Sequence, residues 1–205
     1  MNIIIIGAPG SGKGMQANLL KNKFNMNYIS TGNILRNEIE KKTAVSNDIL
    51  TCMSKGLLIN NKILFYLLKK NLKKQTLLDG FPRTLEQAIY LTKIKFKIDY
   101  IVKINIDIKI LLKRIKYRVI NKNTDNIYNI LFNQPKIKYI DNMSGSYLIS
   151  RCDDNYNVID RRLKEYNKNI LKIMQYYLCN NIPIINVNGS DNPLSIFNFI
   201  IQEIK

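Results

Sequence analysis

An apolar run, Ile3 to Ile6, empties directly into Gly7-Ala8-Pro9-Gly10-Ser11-Gly12-Lys13-Gly14. A strand apolar at every position suits burial on both faces, as in a parallel sheet. The continuation has the G-x-x-x-x-G-K spacing of a phosphate-binding loop. Glycines let successive backbone N–H groups curl inward toward phosphate oxygens. A helix opening near Lys13 adds its positive N-terminal end, and Lys13 adds a mobile point charge. A plain turn between strand and helix would account for glycines alone. It does not account for buried strand, glycines and lysine in one stretch.

The rest of the chain alternates in the same style. Apolar strands are expected at Ile3–Ile6, Met26–Ile29, Thr76–Leu78, Tyr100–Ile104 and Pro183–Val187. Helices are expected at Lys13–Phe24, Thr31–Lys41, Asn60–Lys73, Thr84–Lys95, Ile108–Tyr117, Asn155–Cys179 and from Pro193 onward. Strands separated by helices imply an α/β fold, a five-stranded parallel sheet flanked by helices. Right-handed crossovers place the strand C-termini at one edge, where ligands bind. Two stretches break the alternation. Lys42–Gly56 reads as a short helical excursion, and Asn121–Arg151 as a small hairpin-rich insert with polar turns and Gln134-Pro135. An irregular insert of that length is functional or disordered, and its Tyr, Ile and Phe content argues for order.

Composition narrows the function. No apolar stretch is long enough to span a bilayer, and a core strand from the first residues leaves no leader peptide to expect. Cys52, Cys152 and Cys179 are odd in number and unpatterned, which suggests a reducing compartment and no disulfide framework. The cytoplasm is therefore expected, or an organelle if a presequence had been removed. The chain has no histidine, so histidine acid–base chemistry and histidine metal ligation are excluded. A formal charge of +17 invites a nucleic-acid reading. Lysine, however, is over-used everywhere, including Lys69-Lys70 and Lys73-Lys74 on what reads as a solvated helix face. Most of the excess is compositional bias, and no nucleic-acid or membrane partner is expected.

Two constellations carry chemistry. Asp79-Gly80-Phe81-Pro82-Arg83 follows the strand Thr76-Leu77-Leu78. A carboxylate at the end of a buried strand beside a phosphate loop can orient Mg²⁺ or its waters. Gly80 allows close backbone approach and Arg83 offers a planar fork. An Asp capping the next turn is the plainer alternative. Arginine is the sharper signal, because only seven occur, at 36, 83, 114, 118, 151, 161 and 162. Bidentate phosphate clamping is a physical reason to use arginine in a lysine-rich chain. Arg114 and Arg118 lie four apart and share a helix face. Surface ion pairing would explain any one of them, but acidic partners are scarce.

These residues resemble the adenylate kinase family, in its long-lid form, along essentially the whole chain. The resemblance rests on Gly7–Gly14, Ser30-Thr31-Gly32, Leu35-Arg36, Asp79-Gly80-Phe81-Pro82-Arg83-Thr84, Gln87-Ala88, Arg114-Ile115, Arg118, Phe132-Asn133, and Arg151 with Asp153-Asp154 and Arg162-Leu163. It implies a P-loop fold in one domain, 1–205, with a helical AMP-binding insert over 31–60 and a β-rich lid over 121–150. It implies a monomeric nucleoside monophosphate kinase that converts ATP and AMP reversibly into two ADP with Mg²⁺. Gly10, Ser11, Gly12, Lys13, Gly14 and Met15 would hold the donor phosphates, Arg114 would stack on the donor base, and Gly189 would meet that base. Thr31, Arg36, Leu57, Ile59, Gly80, Arg83 and Gln87 would form the AMP site. Lys13, Arg83, Arg118, Arg151 and Arg162 would act on the transferring phosphoryl, with Asp153 and Asp154 orienting lid arginines. Asp79 would reach Mg²⁺ through water.

The chain departs from the family pattern in three places. Met15 stands where the family usually has threonine, which predicts weaker donor binding or slower turnover. Asn33 stands where an aspartate is usual. Some relatives staple the lid with zinc through four cysteines. Here Asn121, Thr124, Asp141 and Ser144 offer hydrogen bonds instead, and no zinc is expected. The resemblance leaves GTP open as donor in place of ATP, with Gln16 leaning toward ATP. It also leaves open a nucleotide-binding relative with little turnover.

Overall fold

The computed structural model describes residues 1–121, 126–151 and 153–204. In chain order the elements are β1 (Ile3–Gly7), α1 (Lys13–Phe24), β2 (Asn27–Ser30), α2 (Thr31–Glu40), α3 (Ser46–Lys55), α4 (Asn61–Asn71), β3 (Thr76–Asp79) and α5 (Leu85–Lys93). There follow β4 (Tyr100–Asn105), α6 (Ile108–Lys116), β5 (Arg118–Ile120), β6 (Ile127–Asn129), α7 (Tyr156–Cys179), β7 (Ile184–Asn188) and α8 (Pro193–Glu203).

Five strands form one parallel sheet in the order β2-β3-β1-β4-β7. The unbroken apolar run is explained by its place at the centre. Ile4 and Ile6 face a layer built from α4, α5 and α7, where they meet Leu68, Leu91, Ile173 and Tyr177. Ile3 and Ile5 face the opposite layer, with Ala17 and Leu20 of α1 and Ile196 and Ile200 of α8. Each such buried side chain is worth about 1.5–3 kcal/mol relative to exposure. The α/β sheet expected from the sequence is thus observed.

Boundaries shift by a residue or two, and capping explains several shifts. Asn60, Thr84 and Asn155 are caps rather than first helical residues. Their side chains accept from the N–H groups of Lys62 (2.8 Å), Gln87 (3.3 Å) and Val158 (3.0 Å). Lys95, expected in the helix, has a φ of 55° that ends it. β2 runs one residue later than expected because Asn27 pairs with Thr76 and Ser30 with Asp79.

Two segments interrupt the sheet's alternation. Residues 31–60 carry α2 and α3, packed on each other around Leu35, Ile49 and Ile59. The second carries β5, which pairs antiparallel with β6 from Arg118 opposite Asn129. Val119, Tyr128 and Leu148 make its small core. Asp141, 1% exposed, anchors a polar knot there. It accepts from Tyr128 Oη (2.8 Å), Asn126 Nδ2 (3.0 Å), Ser144 N (2.9 Å) and Ser144 Oγ (2.7 Å). Asn121 Nδ2 donates to Ser144 Oγ (2.7 Å) and Ser146 Oγ (2.8 Å). Burial would raise the Asp141 pKa, but the hydrogen bonds outweigh it and hold the carboxyl well below the usual range. Three of the four expected polar residues therefore meet, and Thr124 lies outside the described residues.

Candidate active site

The C-terminal ends of β1, β2, β3, β4 and β7 open onto a cavity of about 960 Å³. The loop after β1 forms its floor. Gly10 has a φ of +83°, and a Cβ there would stand 2.6 Å from Ile115 Cγ1 of α6. Only glycine satisfies both the backbone and the close approach. Gly12 caps α1, so the helix opens with Lys13 at the mouth of the loop. Lys13 Nζ donates to Gly7 O (2.9 Å) and Ala8 O (2.8 Å). Burial lowers its pKa to about 8, helped by Arg83, Arg118 and Arg151 and opposed by Asp79.

Six of the seven arginines line the cavity with Lys13: Arg36, Arg83, Arg114, Arg118, Arg151 and Arg162. Arg161 does not, and its NH1 donates to Lys55 O (3.2 Å) at the end of α3. Acidic partners prove less scarce than composition suggested. Arg118 does not share a helix face with Arg114, because α6 ends at Lys116 and Arg118 opens β5; it forks onto Asp154, with Nε donating to Oδ2 at 2.8 Å and NH2 to Oδ1. Arg162 NH2 donates to Asp153 Oδ2 (2.7 Å). Burial would raise Asp153, but Arg162, Arg151 and Arg36 hold it low. Arg151 is different: its Nε is buried with no hydrogen-bond partner among the described residues. Burial, then Arg118 and Arg36, lower its pKa to about 10. Burial and Arg162 likewise lower Arg83. Confining cations together costs free energy that an anionic ligand would return.

The remaining expected residues fall as follows. Arg114 lies 5.7 Å from the centre of the Phe132 ring, and its NH1 is 3.7 Å from where a Gly12 Cβ would stand. Gly189 lines the cavity, but its N–H donates to Asn105 O (2.6 Å). Thr31 is buried, its hydroxyl donating to Gly80 O (3.0 Å). Arg83 Nε donates to the same carbonyl (2.8 Å). Gly80 has a φ of +78°, and a Cβ would meet Thr31 Oγ1 at 2.6 Å. Arg36 folds back on Asn33 Oδ1. Leu57, Ile59, Ser11, Gly14 and Met15 line the cavity too. Gln87 is committed inside the protein, accepting from Arg83 N (2.7 Å) and donating to Asn61 Oδ1 (2.9 Å). One amide hydrogen and one lone pair of its carbonyl remain.

Sequence reading missed Tyr28 and Ile127. Tyr28 Oη donates to Asp79 Oδ2 (3.0 Å), and burial and Asp79 together raise its pKa. Ile127 Cδ1 of β6 stands 3.6 Å from the place of a Gly14 Cβ, so the hairpin leans over the loop. Neither has a motif to announce it, since a Tyr in a strand and an Ile in a hairpin both read as core.

Known proteins with this sequence pattern are consistent with the geometry. A family model described as adenylate kinase matches residues 5–182. The adenylate kinase of Buchnera aphidicola subsp. Schizaphis graminum is 39% identical over 183 residues, covering 87% of this chain and 86% of its own. That of Buchnera aphidicola subsp. Cinara cedri is 42% identical over 181 residues, covering 86% and 83%. That of Francisella tularensis subsp. novicida is 35% identical over 182 residues, covering 86% and 84%.

Proposed function

This chain belongs to the adenylate kinase family, and on that premise we propose that it transfers a phosphoryl group reversibly from ATP to AMP, giving two ADP. The observation that carries the reading is the convergence of Lys13 and six arginines on one cavity above the glycine loop.

In this reading Lys13 leaves the carbonyls of Gly7 and Ala8 for the donor's outer phosphates, while the loop over Gly10–Met15 cradles them. Arg114 and the backbone at Gly189 meet the donor base. Thr31, Arg36, Leu57, Ile59, Gly80, Arg83 and Gln87 hold AMP, within an insert over 31–60. Arg83, Arg118, Arg151 and Arg162 surround the phosphoryl in flight, where negative charge spreads over its oxygens. Asp153 and Asp154 hold two of these guanidiniums in orientation. No covalent intermediate is needed. Both substrates are anions, so the protein's work is to bring them in line and keep water out. The hairpin segment serves as the lid that excludes water.

Mg²⁺ suits the donor set: one carboxylate, Asp79, with substrate phosphates and water completing the shell. When bound with the nucleotide it neutralises charge on the outer phosphates. The lid's polar knot at Asp141 takes the place of zinc. A monomer is part of the same reading. The free thiols of Cys52 and Cys179 suit the reducing cytoplasm.

The test is direct. Purified protein with ATP, AMP and Mg²⁺ is followed by chromatography, and the three nucleotides should equilibrate from either direction. Absence of ADP under those conditions sinks the reading. A panel of ATP, GTP, CTP and UTP against fixed AMP should rank ATP first.

A further inference from the structure

We propose that Tyr28 is a positioning residue for Asp79, fixing one carboxylate oxygen so that the other faces the water shell of the metal that accompanies the nucleotide. The proposal rests on the kinase reading above.

Tyr28 lies on β2, beside the strand that ends in Asp79, and lines the cavity. Its hydroxyl donates to Asp79 Oδ2 at 3.0 Å. Among the described residues no hydrogen-bond donor reaches Oδ1. A short carboxylate at a strand end can rotate about its last two bonds. A donor fixed on Oδ2 removes that freedom and leaves Oδ1 in one direction. This is the arrangement by which outer partners orient a group toward a metal.

The second observation concerns the loop. Met15 offers no hydroxyl after the lysine and glycine. Tyr28 Oη stands 4.0 Å from the place a Gly14 Cβ would occupy. A hydroxyl from β2 therefore reaches the point where α1 begins, between Asp79 and the start of the helix. The ring packs partly against the core cluster that holds Leu20 and Leu77. The hydroxyl end is polar and faces the cavity, which is the division expected of a tyrosine that is wanted for its oxygen.

Tyr28→Phe tests this, since it keeps the ring and removes one oxygen. The Mg²⁺ concentration giving half-maximal rate at saturating nucleotides should rise about tenfold, the low end for loss of a partner that orients a metal-facing group. Calorimetric binding without AMP should weaken for ATP with Mg²⁺ and stay unchanged for ATP with a chelator. The KM for AMP should stay put, and the melting temperature should fall by no more than the loss of one hydrogen bond to a carboxylate explains. In an Asp79→Asn background, Tyr28→Phe should add nothing further to the Mg²⁺ dependence. An unmoved Mg²⁺ midpoint overturns the proposal. So does equal weakening with and without metal, or an AMP KM that shifts alongside. These outcomes leave the kinase reading intact. That reading fails only if the unsubstituted protein forms no ADP.

Discussion

The glycine loop and the arginine arc face each other across one cavity but are fixed in different ways. The loop is held by backbone. Gly10 sits at positive φ under Ile115, and its neighbours Gly7 and Ala8 pack on β4 and α6. The arc is held by side chains. Arg118 depends on Asp154, 36 residues on, and Arg162 depends on Asp153. A cradle set by local backbone keeps its shape whether or not phosphate is present. Guanidiniums held by carboxylates can be released or redirected, because an ion pair exchanges partners more easily than a backbone changes fold.

The largest expected effect tests the cradle. Lys13→Met should lower turnover by roughly 10²–10³, the scale for one preorganised donor to transition-state charge, with the fold unchanged by circular dichroism. A smaller loss would mean the arc alone carries the chemistry. Next comes the arc's dependence on its holders. Asp154→Ala touches no substrate in this reading, yet misplacing Arg118 should reduce kcat by up to ~10². Unaltered kcat would erase the contrast between the two sides.

Met15→Thr sharpens the cradle side. A new hydroxyl bond to a phosphate, worth ~1.5 kcal/mol, should tighten donor binding about tenfold in a titration. No gain in affinity or turnover would remove the idea that Met15 weakens the loop. On the hairpin side, Asp141→Ala takes the acceptor from the buried hydroxyl of Tyr128 and from the N–H of Ser144. It should cost ~1–3 kcal/mol, read as a lowered melting temperature. Purified protein should contain no stoichiometric zinc by elemental analysis.

The smallest effect is a proton. Burial lowers Lys13 to about 8, so near pH 8 roughly half of the ligand-free protein lacks that charge. Donor phosphates favour the charged form. Binding should therefore take up about half a proton at pH 8 and almost none at pH 6.5. Calorimetry in buffers of different ionisation enthalpy reads this. Affinity should weaken as pH rises through 8, and equal proton uptake at both values would contradict the assignment.

The two sides also differed in how readily sequence disclosed them. The cradle was legible because its physics is local: an apolar strand, glycines and a lysine lie within thirteen residues, Asn2 to Gly14. The sheet was legible for the same reason, with errors confined to caps such as Asn60 and Thr84. Arg118 and Arg162 could be named, and the resemblance pointed to Asp153 and Asp154 as their holders, but which carboxylate takes which guanidinium needed the packed structure. Arg161 counts among the seven by rarity alone, which cannot tell that it reaches Lys55 O while Arg162 lines the cavity. Gln87 does line the cavity, but its engagement with Arg83 and Asn61 depends on how α4 and α5 pack. Tyr28 was invisible, because a strand pattern records burial and not which atom of a neighbour a hydroxyl meets.

β1 has helices against both of its faces, Ile4 and Ile6 on one side and Ile3 and Ile5 on the other. A strand gripped from two directions makes a poor hinge. Whatever displacement a turnover cycle demands must be supplied by the parts hung from the sheet's rim, and the anchor at its middle stays where synthesis and folding left it.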